Sequence, residues 1–114
     1  MRWFRPRRAA ALSAVLLAPT LATAGADVPA ARQRELRHLL LHDCGSCHGL
    51  TMRGGLGRPL LPEALAGRSD AALAETILGG VRGTAMPPWR GELTPEEADW
   101  MVRELRKGVA AHGD

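Results

Sequence analysis

The 114-residue chain has no tyrosine, one phenylalanine and three tryptophans. Phe4 and Trp3 sit at the extreme N-terminus, so the rest of the chain has only Trp89 and Trp100 as aromatics. A domain this poor in rings lacks the large anchors of an ordinary small core, and at this size a side-chain core alone is marginal. Some other apolar body or covalent staple is needed. Long apolar runs are missing too. The longest, over residues 9–22, is interrupted by Pro19 and falls short of the roughly 20 residues that span a bilayer. Strand-like alternation is absent, which points to an all-α chain. With only two cysteines, neither a four-cysteine zinc site nor a multi-disulfide scaffold can form.

Excess charge of one sign is also missing once the chain is divided. Arg2, Arg5, Arg7 and Arg8 precede the apolar run, and Ala22-Thr23-Ala24 follows it as a small-x-small site. This is the pattern of a cleavable export signal over residues 1–24, with a mature domain over 25–114. The formal charge of +3 belongs to that signal. Removing four of the 15 basic residues and none of the 12 acidic ones leaves 11 against 12, a net of −1. Nucleic-acid binding is therefore not expected, nor is membrane attachment after cleavage. The expected compartment is the periplasm, and the domain is expected to be a monomer.

What is present is Cys44-Gly45-Ser46-Cys47-His48, a C-x-x-C-H. This is the attachment signature of a c-type haem. Two thiols three positions apart leave one side of a helical turn and can bond the two vinyl groups, and the histidine that follows can reach the iron. A thioredoxin-like pair would need a strand and a βαβ setting, which the helical pattern before Cys44 does not offer. A zinc site would need four ligands, and His38, His42 and His112 are poorly spaced to complete one. A disulfide across two residues would close almost no loop. One covalent haem c, held by Cys44 and Cys47, would also supply the missing apolar bulk.

The mature chain then divides into helices and glycine-rich loops. Residues 28–42 carry a helical pattern, with Asp27 as cap and Leu36, Leu39 and Leu40 on one face. His38 and His42 lie on it, either as solvated side chains or as second haem ligands. Residues 49–58 contain four glycines and form a tight loop; Met52 there is too near His48 in sequence to reach the opposite face. Pro59 and Leu60 begin an extended piece expected against the haem, and a backbone carbonyl here is the natural acceptor for the ring N–H of His48. A short helical turn is expected at Pro62–Leu65. Ser69-Asp70 opens a packing helix that Gly79-Gly80 ends.

The loop over residues 81–91 fixes Met86 before two prolines. A stiff methionine on a loop is poor core filler, and its thioether suits the distal side of an iron whose proximal ligand is His48. Met101, on the last helix, is read as core. Trp89 is expected at the haem edge, and Arg82 and Arg90 either pair with propionates or make surface salt links. Thr94-Pro95-Glu96-Glu97 is a capping box with proline at the first helical position, followed by an apolar stripe at Ala98, Met101, Val102 and Leu105 that Trp100 flanks.

Taken in order, C-G-S-C-H, the glycine loop, T-A-M-P-P-W and the capped terminal helix resemble a class I cytochrome c over nearly all of the mature chain. That resemblance implies a few helices wrapped around one buried haem, with the first and last helices crossing. More narrowly, D-C-G-S-C-H-G (43–49), G-G-L-G (54–57), L-A-G (65–67), I-L-G-G (77–80) and G-T-A-M-P-P-W (83–89) resemble the cytochrome c55X proteins. The resemblance implies one-electron transfer to redox partner proteins in a denitrifying system, among them cytochrome cd1 nitrite reductase. Two other roles implied or left open are maturation of d1 haem and small-ligand binding at the iron. The family often has Gly-Pro after the haem motif, where the proline carbonyl takes the histidine proton. Here Arg58 stands between Gly57 and Pro59, and the resemblance still implies the Pro59 carbonyl as the acceptor for His48. Filled axial positions leave no site for substrate, so no catalysis of its own is expected.

Overall fold

The structure, a computed structural model, describes residues 27–109. The expected export signal, residues 1–24, lies outside the described residues. Five α-helical segments follow in order: α1 Ala30–Leu39, α2 Gly45–His48, α3 Pro62–Leu65, α4 Asp70–Gly79 and α5 Pro95–Lys107. A π-helical turn, Leu40–Cys44, joins α1 to α2 without a break. Among the described residues there is no strand.

Local chemistry explains most of the boundaries. The Ser69 hydroxyl caps α4 by accepting from the Ala72 N–H at 3.2 Å. Thr94 and Glu97 form the expected reciprocal box at the start of α5, with bonds of 3.2 and 2.9 Å. Gly108 ends α5 in the left-handed conformation at φ 82°. The start of α1 differs from expectation. Its cap position is Pro29, no side chain caps it, and Asp27 lies outside. The Val28 carbonyl instead accepts from the side chain of Gln33 at 2.8 Å. Proline holds the extended entry that a side-chain cap would otherwise favour.

Helix α5 packs along α4 and crosses α1. The core comprises Leu36 and Leu40 from the first helical run, Leu73, Ala74 and Leu78 from α4, and Ala98, Trp100, Met101, Val102 and Leu105 from α5. Leu36, Leu40, Met101 and Val102 are fully buried. Each such side chain contributes about 1.5–3 kcal/mol by leaving water. Met52 joins this core at 1% exposure although it sits in the glycine loop, and it does so with φ 59°.

Ion pairs fix the crossing of α1 and α5. The Arg32 guanidinium donates to Glu97 at 2.7 Å. Arg37 donates to Glu104 at 3.1 Å and lies 5.3 Å from the Trp100 ring centroid. Glu104 is buried at 7% exposure and also accepts from Lys107 at 2.8 Å. Burial pulls the Glu104 carboxyl upward, but Lys107 and Arg37 outweigh it and hold the group below its ordinary 4.5. Glu97 is lowered as well, chiefly by Arg32.

A carboxyl depressed in the folded state stabilises it above the unfolded pKa and loses that contribution as pH falls through the folded value. Stability should therefore decline from about pH 4.5 downward. Glu104→Gln should cost about 1–2 kcal/mol at neutral pH, between the values for exposed and fully buried pairs, since both cations remain partly solvated. The variant should also flatten the acid limb. Denaturant titrations of both proteins at neutral and acid pH measure this; parallel pH dependence would remove Glu104 from the account.

Candidate haem-attachment site

Cys44, Cys47 and His48 lie on the continuous helical run that α1, the π turn and α2 form. Cys44 ends the π turn and Cys47 follows three residues later on α2, so both thiols leave consecutive turns. Both are free and half-buried. Burial, with a smaller push from Asp43, raises the Cys44 thiol to about 11.

The glycine loop folds back over the end of α2. Gly54 N–H donates to the His48 carbonyl at 2.7 Å, and Gly57 N–H donates to the Cys47 carbonyl at 2.8 Å. Gly49, at φ 91°, makes the turn; a Cβ there would stand 2.7 Å from the Gly54 carbonyl oxygen. These bonds lay Gly57 on the imidazole, where a Cβ would fall 2.7 Å from Cε1 and Nδ1 of His48. The next carbonyl, that of Arg58, then lies 2.6 Å from His48 Nδ1.

This corrects the expected partner. The acceptor is the Arg58 carbonyl, not that of Pro59. Gly57 passes so close to the ring that a Cβ would clash with it, and the residue immediately after it turns its carbonyl to Nδ1. Pro59 instead packs its ring on Gly54, where a Cβ would meet Pro59 Cγ and Cδ at 3.2 Å. The bond assigns Nδ1 as the protonated nitrogen and leaves Nε2 as the free electron-pair donor.

Met86 is held from both sides of its residue. Its N–H donates to Thr84 Oγ1 at 3.2 Å, and its carbonyl accepts from Val81 N–H at 3.2 Å. Gly80, at φ 65°, passes beneath; a Cβ there would lie 2.8 Å from Met86 O, Pro87 C and Pro88 N. Trp89 and Arg90 N–H groups donate to the Ile77 and Leu78 carbonyls at 3.1 Å, tying the loop to the end of α4. The loop bounds a cleft of about 350 Å³ lined in part by Val81, Thr84 and Met86. Trp89 is half-buried against the core. Leu60 is likewise half-buried and, with Met52, Leu61 and Val109, lines a cleft of about 390 Å³.

The other candidates separate from these residues. Arg90 pairs with Glu75 at 2.6 Å, the surface link among its two expected roles. His38 and His42 are exposed, with ring centroids 4.2 Å apart. Met52 and Met101 are core. Gly57 and Gly80 are site residues that sequence reasoning did not single out. Gly80 read only as a helix stop; its signal was a doubled glycine ahead of a Met-Pro-Pro turn.

The donor set fits a covalently attached haem. Two thiols and an imidazole share one helical run, the imidazole is oriented with one nitrogen free, and a backbone-clamped methionine offers a neutral sulfur.

Comparison with known proteins agrees. A family model described as "Cytochrome C oxidase, cbb3-type, subunit III" matches residues 31–103. Cytochrome c55X of Paracoccus denitrificans (strain Pd 1222) is 56% identical over 97 residues, 85% of this chain and 92% of the relative. Cytochrome c55X of Pseudomonas aeruginosa is 48% identical over 101 residues, 89% of this chain and 85% of the relative. The same organism's "Dihydro-heme d1 dehydrogenase" is 40% identical over 62 residues, 54% of this chain but 13% of that protein. A solved structure, "c-type cytochrome NirC", superposes with a TM-score of 0.70 at 52% identity, covering 73% of this chain and 98% of that one. Covalently bound haem c is the cofactor of such proteins, and the chain belongs to the cytochrome c55X family of c-type cytochromes.

Proposed function

We propose that the chain is a periplasmic monohaem carrier that passes single electrons within a nitrite-reducing system. In this proposal Cys44 and Cys47 hold the haem, and His48 and Met86 are its axial ligands. The bound group supplies a ferric/ferrous couple. The observation that carries the proposal is the 2.6 Å contact of His48 Nδ1 with the Arg58 carbonyl, which aims Nε2 away from the loop as a donor. Hydrogen bonding to Nδ1 raises the basicity of the ligating nitrogen and stops the ring rotating. The neutral Met86 thioether favours the ferrous state, and its clamped backbone keeps that sulfur from moving between redox states. Apolar side chains such as Leu60 and Trp89 exclude water and disfavour the extra ferric charge. Among the described residues no helix is long and apolar enough to cross a membrane.

A second role is favoured by one specific observation. A related segment occupies a small part of a protein described as a dihydro-haem d1 dehydrogenase. Dehydrogenation releases electrons that an acceptor must take, so a chain of this type could serve maturation of d1 haem with the same redox chemistry. Rapid reoxidation of the reduced protein by cytochrome cd1 supports the first role; reduction only by the dehydrogenase reaction supports the second.

The ligand assignment is tested on mature protein made in a periplasm with cytochrome c maturation. Oxidised protein should be low-spin with the sulfur-to-iron charge-transfer band. Met86→Ala should abolish that band, lower the potential and open the iron to carbon monoxide. A band that survives the substitution would exclude Met86 as ligand.

A further inference from the structure

Among the described residues, His38 and His42 are the two imidazoles that the proposed haem site does not use. They stand four residues apart where α1 passes into the π turn, a spacing that places side chains one above the other on a helix face. Their ring centroids are 4.2 Å apart with planes inclined at 39°. Both residues are exposed. Neither imidazole makes a hydrogen bond or an ion pair among the described residues; the polar bond in this turn is the backbone one from Gly45 N–H to the His42 carbonyl. Every ring nitrogen is therefore available. The nearest carboxylate one turn earlier, Glu35, is engaged by Arg32 at 2.8 Å. No third histidine, cysteine or carboxylate completes a cluster among the described residues.

We propose that His38 and His42 form a surface site for a divalent transition ion of the imidazole-preferring kind, zinc being the representative. Two histidines at i and i+4 on one helix face are the geometry by which helices chelate zinc. A metal–nitrogen distance of about 2.0–2.1 Å is compatible with rings at this separation sharing one ion. Imidazole suits zinc, copper and nickel, and water fills the remaining positions, so the site is open rather than closed. Chelation would bridge the last turn of α1 to the π turn that carries Cys44, and so stabilise that junction by mass action. This site is separate from the haem: His48 already commits Nδ1 to Arg58, and the haem ligands proposed above do not include His38 or His42.

The test uses tag-free ferric holoprotein titrated with zinc chloride by calorimetry at neutral pH. One saturable equivalent is expected, with thermal stability rising as zinc is added. His38→Gln and His42→Gln should each weaken binding at least ten-fold, and the double variant should be no weaker than either single one. His112→Gln should bind as the parent does. The haem absorption spectrum should stay unchanged throughout, which separates this site from the iron whatever the haem ligands prove to be. Absence of a saturable event, parental affinity in either single variant, or loss on His112→Gln would each overturn the assignment. Both rings are exposed, so the substitutions leave the core intact, and an unaltered haem spectrum verifies it.

Discussion

Gly80→Ala is expected to release Met86 from its proposed place on the iron. The added Cβ would lie 2.8 Å from Met86 O and from the backbone of both prolines, and none of those atoms is the end of a flexible side chain. At φ 65° and ψ −171° the backbone lies in a region that essentially only glycine adopts, so the substitution also costs about 1–3 kcal/mol of backbone strain. The chain can relieve the contact only by moving the segment that holds the sulfur. That segment is held by the bond from Val81 N–H to the Met86 carbonyl and by the bond from Met86 N–H to Thr84 Oγ1, so displacement breaks the clamp. The oxidised spectrum should lose its charge-transfer band, and the potential should fall as a weaker or exchangeable ligand replaces the thioether. Electrochemistry with the absorption spectrum reads both. A parental potential in Gly80→Ala would mean that Met86 is not positioned by this contact.

Gly57→Ala should act on the opposite face and move the potential the opposite way. Its Cβ would stand 2.7 Å from Nδ1 and Cε1 of His48. The ring cannot simply rotate, because Nδ1 is bound to the Arg58 carbonyl and the next turn of chain is pinned to Cys47. Overpacking of this kind costs about 1–3 kcal/mol. Relief comes by separating the ring from Arg58, which weakens the bond that makes Nε2 basic. A less basic ligand stabilises the ferric state less, so the potential should rise while the charge-transfer band persists. Opposite signs in the two alanine variants distinguish a loss of proximal support from a loss of the distal ligand. A shift of the same sign in both would show general loosening instead. Holoprotein yield in Gly57→Ala should fall, since attachment needs the same compact turn.

Much of the architecture is written locally in the chain. The capping box of Thr94 and Glu97, the Ser69 cap, the turn Pro62–Leu65 and the stripe along α5 follow from contacts within four residues, so sequence spacing suffices to predict them. The placement of Cys44, Cys47 and His48 on one helical run is local in the same way. Expectations that relied on an adjacent signal failed where a backbone constraint intervened, as at Asp27, displaced as cap by Pro29.

Other features depend on distant residues meeting. Met52 looked like a loop residue and became core, because the bonds from Met52 N–H to Gly49 and from Leu60 N–H to the Met52 carbonyl turn its side chain inward. Glu104, for which the sequence carries no signal, is a buried ion partner because Arg37 of α1 reaches it where α1 crosses α5. The acceptor for His48 is set by how far Gly57 can close on the ring, which selects Arg58 over Pro59 by a single residue. The haem-binding chemistry and the order of helices reside in short-range spacing, so the sequence alone carries them. The orientation of His48, the clamp on Met86 and the pairing across the helix crossing are through-space properties, and only the fold brings their partners within bonding distance.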